Sequence, residues 1–269
     1  MTAQAQDRQA GDERTGVYVY GILPGDIKIE PGAPGVGDPP GEVRPVRHRD
    51  LVAMVSDVVL DRPLGRAEDL FAHEELLDAS AANAPVLPLR FGAVLASDEA
   101  VAGELLGPHY DEFAEALRQL EGHAEYVVKG RYVERAVLGE VLAESPEAAR
   151  LADQISGAHP DATRDQRIRL GEIVNSAVDA MREADTRALG DTVSGLVTAS
   201  VVRPPTHELD AVYVAVLVET GQADRLRQAC ERLADQWQGR IEDVRLTGPL
   251  AAYDFVGNVA VTQAAPTVN

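Results

Sequence analysis

The sequence predicts an α+β protein of two lobes. The first is an N-terminal ferredoxin-like sandwich; the second is a modified ferredoxin-like domain carrying a helical insertion. Three observations point there. Short β-branched runs alternate with amphipathic helical patterns. The elements of the first half read β-β-α-β-α-β, an order that places helices on one face of a sheet. The chain is 269 residues long, enough for two small domains. The expected division is a disordered tail over 1–16, a first domain over 17–135, a second over 136–255 and a tail over 256–269.

Taken in order, V-Y-V-Y-G-I from Val17 to Ile22 is a first strand. Leu23 to Pro45 is dense in glycine and proline and reads as a loop. Leu51 to Val59 is a second strand, antiparallel to the first. Arg66 to Ala82 is a helix with Leu70, Leu77 and Ala81 on one face. Pro85 ends it, because the proline ring disfavours helical geometry in the preceding residue. Asn83 to Val94 follows as a buried strand containing Arg90. Ser97 is a candidate N-cap, Gly107-Pro108 interrupts the next helix, and Tyr110 to Leu117 resumes it. Glu125 to Val133 closes the first half as a strand.

The second half opens with helices. Leu170, Ile173, Val174, Ala177, Val178 and Met181 form a continuous apolar stripe, read as domain core or, failing that, a partner site. Val193 to Val202 and Leu209 to Glu219 are strands. Leu226, Ala229, Cys230, Leu233 and Trp237 mark a helix face, and Val244 to Phe255 is a strand and turn.

Composition narrows the function. Hydrophobic residues make up 45% and charged residues 26%, the balance of a soluble globular protein. The formal net charge of −19 argues against a general role on nucleic acid or anionic lipid, both of which need positive patches. No apolar run reaches the roughly 20 residues that span a bilayer. The polar N-terminus lacks the apolar centre of a signal peptide, so the expected compartment is the cytoplasm. The single cysteine, Cys230, sits on an apolar helix face and reads as core.

No catalytic constellation assembles. His73-Glu74 begins like a zinc-protease helix, but Leu77 stands where the second histidine belongs. Gly32, Gly35 and Gly37 are not followed by Gly-Lys-Ser/Thr, and no G-x-S-x-G elbow occurs. The expectation is no cofactor and no metal. Arg90, placed among apolar residues, is either an internal clamp or a group that recognises a partner's carboxylate. As a buried, paired clamp its loss would cost roughly 3–5 kcal/mol.

The ordered set V-Y-V-Y-G-I, His73 ahead of V-L-P-L-R-F-G-A-V, E-Y-V-V-K-G-R-Y, L-D-A-V-Y-V-A-V-L-V and R-L-T-G-P-L-A-A-Y-D-F-V resembles the gas vesicle protein family GvpL/GvpF. The resemblance spans Val17 to Val256. Two departures stand out: Leu250-Ala251-Ala252-Tyr253 replaces the family's usual W-P-P-Y, and Ser156-Gly157-Ala158-His159 lacks its S-P-G-x-Y-L run. The resemblance implies two α+β domains and a non-enzymatic structural or assembly role in gas vesicles, in the cytoplasm. The implied partners are the small hydrophobic shell protein and other gas vesicle proteins, with no cofactor, nucleic acid or membrane. It marks Arg90, Phe91, His73, Tyr253 and Phe255 as a partner-binding or structural set. Two alternatives are a ferredoxin-like module binding a small regulatory ligand, and an enzyme using His73 and Arg90 in a cleft between lobes.

Overall fold

The computed structural model describes residues 15–256, apart from 30, 31 and 62. The expected tails over 1–16 and 256–269 therefore lie almost wholly outside the described residues. The chain is α+β, as expected, and forms two compact units. One holds the described residues up to Ala124 together with those from Pro249 on; the other is Glu125–Gly248.

The first unit starts with β1 (Thr15–Pro24), so strand already covers Thr15 and Gly16. The glycine- and proline-rich stretch read as a loop instead carries a small hairpin, β2 (Pro34–Gly37) and β3 (Pro40–Glu42), and then β4 (Arg44–His48). Glycine here serves close approach rather than freedom: a Cβ on Gly35 would lie 2.7 Å from Ser56 Oγ. β5 (Leu51–Val59) has the expected bounds and runs antiparallel to β1. β4 and β5 pair from Arg44↔Val55 to His48↔Leu51, leaving a two-residue turn in which Arg49 takes a φ of 52°.

The helix α1 (Ala67–Ala81) follows. Asp69, at its third position, accepts hydrogen bonds from the backbone N–H groups of Gly65 (3.1 Å), Arg66 (3.2 Å) and Gly37 (3.3 Å), which caps the helix and ties it to the hairpin. The buried face of α1 is Asp69, His73 and Leu77; Leu70, expected to share that face, lies on the exposed flank.

The expected strand over Asn83–Val94 is two short pieces, β6 (Leu87–Pro88) and β7 (Val94–Leu95), both antiparallel to β1. Gly21 faces Pro88 and Tyr18 faces Val94, so residues 19–20 of β1 stand opposite residues 89–93. The ladder persists on both sides, through Leu89 N–H to Tyr20 O and Val19 N–H to Ala93 O, each 2.9 Å. Arg90, Phe91 and Gly92 are looped out between these bonds, with Gly92 at φ 91°. The arginine is thereby exposed, not buried. Burying a guanidinium without a partner is costly, and the bulge avoids it.

Next come α2 (Asp98–Ala100), capped by Ser97 Oγ as expected and continuing into a π-turn over Val101–Leu106, and α3 (Tyr110–Leu120). The first sheet has the order β4-β5-β1-β6, with β7 also on β1. Its core gathers Tyr18, Tyr20, Val36, Met54, Leu77 and Ala251 among others.

β8 (His123–Tyr132) does not close the first sheet. It is buried along most of its length and lies inside the second sheet, whose order continues with strands β9 (Ala199–Val202), β10 (Asp210–Glu219) and β11 (Ile241–Leu250) as β11-β8-β10-β9. A strand buried on both faces needs neighbours on both sides, and β6 and β7 already occupy that edge of β1. The first unit thus lacks the final strand of the expected β-β-α-β-α-β order, and the units part at Ala124, not near 135. Between β8 and β9 stand α4 (Glu134–Glu144), α5 (Pro146–Ile155) and the 30-residue α6 (Arg164–Val193). α6 runs through Val193, so the strand expected from there begins only at Ala199. The stripe on α6 is half-buried except for Val178; the firmly buried positions are Val178, Asp185, Leu189 and Val193. Finally α7 (Ala223–Gln236) buries Leu226, Ala229, Cys230 and Leu233.

Candidate functional site

Three of the marked residues converge in the first unit. β1 presents Tyr18 and Tyr20, two residues apart, on one face of the strand. His73 reaches them from α1, Phe91 folds back from the bulge, and Tyr253 arrives from the segment after β11. The His73 ring lies 5.8 Å from Tyr20 in a stacked arrangement, and at 5.7 Å and 5.6 Å it meets Tyr18 and Phe91 edge-on. Tyr253 stands 6.5 Å from it, tilted. Tyr18 also packs on Tyr20 (4.8 Å) and on Phe91 (5.9 Å). All these centroid separations fall in the range of favourable aromatic pairing. In a chain with only 4% aromatic residues, this concentration marks the place.

The polar atoms of the cluster bond inward. His73 Nδ1 lies 3.0 Å from the Tyr18 hydroxyl, which accepts the Gly92 N–H at 3.1 Å. The Tyr20 hydroxyl lies 2.8 Å from Ser56 Oγ and accepts the Val36 N–H at 2.7 Å. His73 is 2% exposed and its Nε2 makes no well-formed hydrogen bond. Burial pulls its pKa down to about 4, against a smaller upward pull from the Leu89 backbone. The ring is therefore neutral at pH 7, with Nδ1 paired to the Tyr18 hydroxyl. Burial likewise raises the pKa values of Tyr18 and Tyr20. These groups bond to one another and to the backbone within the first unit.

The outer rim differs. Tyr253 is 39% exposed, and on α1 Leu70 and Phe71 are 41% and 67% exposed. The chain after β11 is pinned to α1: Ala251 and Ala252 are buried, and the Ala251 N–H donates to Asp78 Oδ1 at 2.9 Å. Two small alanines fit there, Ala251 joining the core of the first unit. Phe255 is half-buried in the following turn, its N–H donating to Ala252 O at 3.2 Å. Arg90 is exposed and has no ion-pair partner among the described residues. With His73 in the interior and Arg90 in solvent, the pair does not form the catalytic site weighed from sequence.

Sequence reading missed a second set, in the second unit. Glu125 is fully buried on β8 and accepts from Arg203 (2.9 Å), whose guanidinium lies over Tyr213. Asp185 accepts the Tyr132 hydroxyl at 2.7 Å and Arg240 at 2.8 Å, and Arg240 also meets Glu140. A charged residue within an apolar strand, Glu125 in E-Y-V-V, was the available signal. A cleft of about 960 Å³ opens beside α6 and β10, but its Arg182 and Arg203 are committed to Asp179, to backbone carbonyls and to Glu125. They clamp the fold rather than await an anion.

The described residues thus form an α+β protein whose first unit holds a largely buried aromatic cluster. Comparison with known proteins gives the family: the model described as "Gas vesicle synthesis protein GvpL/GvpF" matches residues 16–257, and the chain belongs to that family. Gas vesicle protein F of Streptomyces sp. (strain CB03234) is 35% identical over 245 residues, covering 89% of this chain and 98% of the relative. Gas vesicle protein F of Dolichospermum flosaquae is 22% identical over 241 residues, covering 89% and 96%. The crystal structure of GvpF from Anabaena sp. PCC7120 superposes with a TM-score of 0.73 at 23% identity, covering 90% of this chain and 98% of that one. That of Microcystis aeruginosa GvpF gives 0.70 at 21% identity, with the same coverage. The fold is thus that of the GvpF structures, and the role is related to gas vesicles. Among the described residues no helix is long and apolar enough to cross a membrane.

Proposed function

We propose that this chain is a non-enzymatic gas vesicle assembly protein. It holds the small hydrophobic shell protein, in company with other gas vesicle proteins, while the vesicle forms in the cytoplasm. The observation that carries this reading is the set of exposed apolar side chains of the first unit, Leu70 and Phe71 on α1 and Tyr253 at the edge of the His73 cluster. Apolar side chains grouped at a surface and framed by charge mark protein contact sites. An aggregation-prone apolar subunit is best held by a soluble, strongly charged partner, and the net charge of −19 supplies that property. Neutral, inward-bonded His73 offers no general base, which favours binding over catalysis.

The test is co-expression of the tagged full chain with the shell protein. The two are expected to co-purify, and vesicles to be lost when the chain is deleted. No association, with vesicles still forming in its absence, would refute the reading.

A further inference from the structure

A groove of about 460 Å³ runs between α1 and the β2–β3 hairpin of the first unit. Pro34, Ala72, Leu76 and Ala79 give it an apolar lining, and Glu68 and Glu75 stand along its helix side. Phe71, 67% exposed, is on the same helix, outside the groove lining. Several carboxylates elsewhere in the chain are bridged by arginine. Arg44 bridges Asp57 and Asp98, Arg169 bridges Glu147 and Glu172, and Arg240 bridges Asp185 and Glu140. α1 carries five acidic residues and no lysine or arginine. Asp69 is occupied as a cap and Asp78 by the Ala251 N–H. Glu68, Glu74 and Glu75 remain exposed, with no ion pair among the described residues.

An apolar groove bordered by unneutralised carboxylates selects its occupant by charge. Glu68 and Glu75 lie two turns apart on one helix face, about 10 Å along the axis at 1.5 Å per residue. A helix laid beside α1 meets both if it carries two basic residues at the same seven-residue spacing, with an apolar stripe between them. We propose that this groove docks a basic amphipathic helix of the shell protein, its apolar stripe on Ala72, Leu76 and Phe71 and its lysines or arginines on Glu68 and Glu75. This rests on the shell-binding reading above and adds to its exposed apolar side chains a neighbouring groove and the charge of the contact.

Both glutamates are exposed, so their reversal leaves the fold intact, which a thermal melt verifies. The experiment compares the full chain with its E68K/E75K, E68Q/E75Q and F71S variants. Two probes are used: a short helical leucine–lysine peptide with lysines seven apart, beside its leucine–glutamate counterpart, and the co-expressed shell protein. The wild type is expected to bind the lysine peptide and not the glutamate one. E68K/E75K should weaken that binding roughly tenfold or more, as losing two exposed charge pairs and gaining repulsion implies. E68Q/E75Q should fall between, and salt raised from about 0.1 to about 1 M should weaken the wild type. Shell-protein recovery should drop with E68K/E75K and with F71S. Shell recovery undiminished in all three variants would overturn the groove while leaving shell binding intact. A wild-type chain that binds the lysine peptide but recovers no shell protein would overturn the shell-binding reading, and with it the identity of the occupant.

Discussion

His73 gives the first unit a built-in acid sensitivity that can be isolated by one substitution. Its folded pKa is pushed down to about 4 by burial, against about 6.5 in an unfolded chain. A histidine whose pKa is depressed on folding stabilises fully above the unfolded value. That stability is lost as pH falls from about 6.5 toward about 4, because the unfolded chain then binds the proton the folded one refuses. At about 1.4 kcal/mol per pKa unit, the difference amounts to about 3 kcal/mol. Since the side chain is 2% exposed, solvent screening does not erode it. His73→Phe keeps the ring packing against Tyr18, Tyr20 and Phe91 but removes the hydrogen-bond partner of the Tyr18 hydroxyl, at a cost of about 1–3 kcal/mol at pH 7. The assay is urea unfolding of both proteins at pH 7, 5.5 and 4.5, followed by the near-ultraviolet tyrosine signal and compared between the two proteins at each pH. The wild type should start ahead and lose its lead as pH falls, since the variant lacks the titrating ring. A difference that stays constant across that range would show that His73 is not held neutral in the interior, and the cluster as described would be wrong.

Other residues carry simpler expectations. Arg90→Ala should change stability by no more than about 0.5 kcal/mol, the range of exposed surface positions; a loss above 3 kcal/mol in chemical denaturation would restore the buried clamp. Asp185→Asn should destabilise the second unit by about 3 kcal/mol, because Arg240 and Tyr132 lose their shared carboxylate, and a shifted urea midpoint reads this directly. Cys230 is 4% exposed and burial raises its thiol pKa to about 11, so the native chain should resist a thiol reagent at pH 8 and react fully once unfolded.

Much of the fold was legible where a local signal sufficed. The bounds of β5, the Ser97 cap, the break at Gly107-Pro108 and the apolar face of α7 each follow from a few adjacent residues. What escaped depends on distant partners. β2, β3 and β4 hide in a glycine- and proline-rich stretch because their pairing is made by backbone. Gly35 there signals close packing on Tyr20 and Ser56, not a loop. The unit that takes β8 is decided by β10 and β11, far along the chain. Arg90 looked buried because its neighbours are apolar, yet Gly92 two residues later was the signature of a bulge. Of the site, the sequence marked His73, Phe91 and Tyr253 through family resemblance. No spacing could connect them to Tyr18 and Tyr20, since they meet only across β1, α1 and the segment after β11. Leu70 was assigned to the packed face and Phe71 to none, because helical periodicity assigns a face without saying whether anything covers it.

The central claim, that the shell protein is held at the α1 face of the first unit, is tested most directly by site-specific photo-crosslinking in cells forming vesicles. A photoreactive residue in place of Phe71 should capture the shell protein, and one in place of Ile168, an exposed apolar residue of the second unit, should not. Capture from position 168 with none from position 71 would contradict the account.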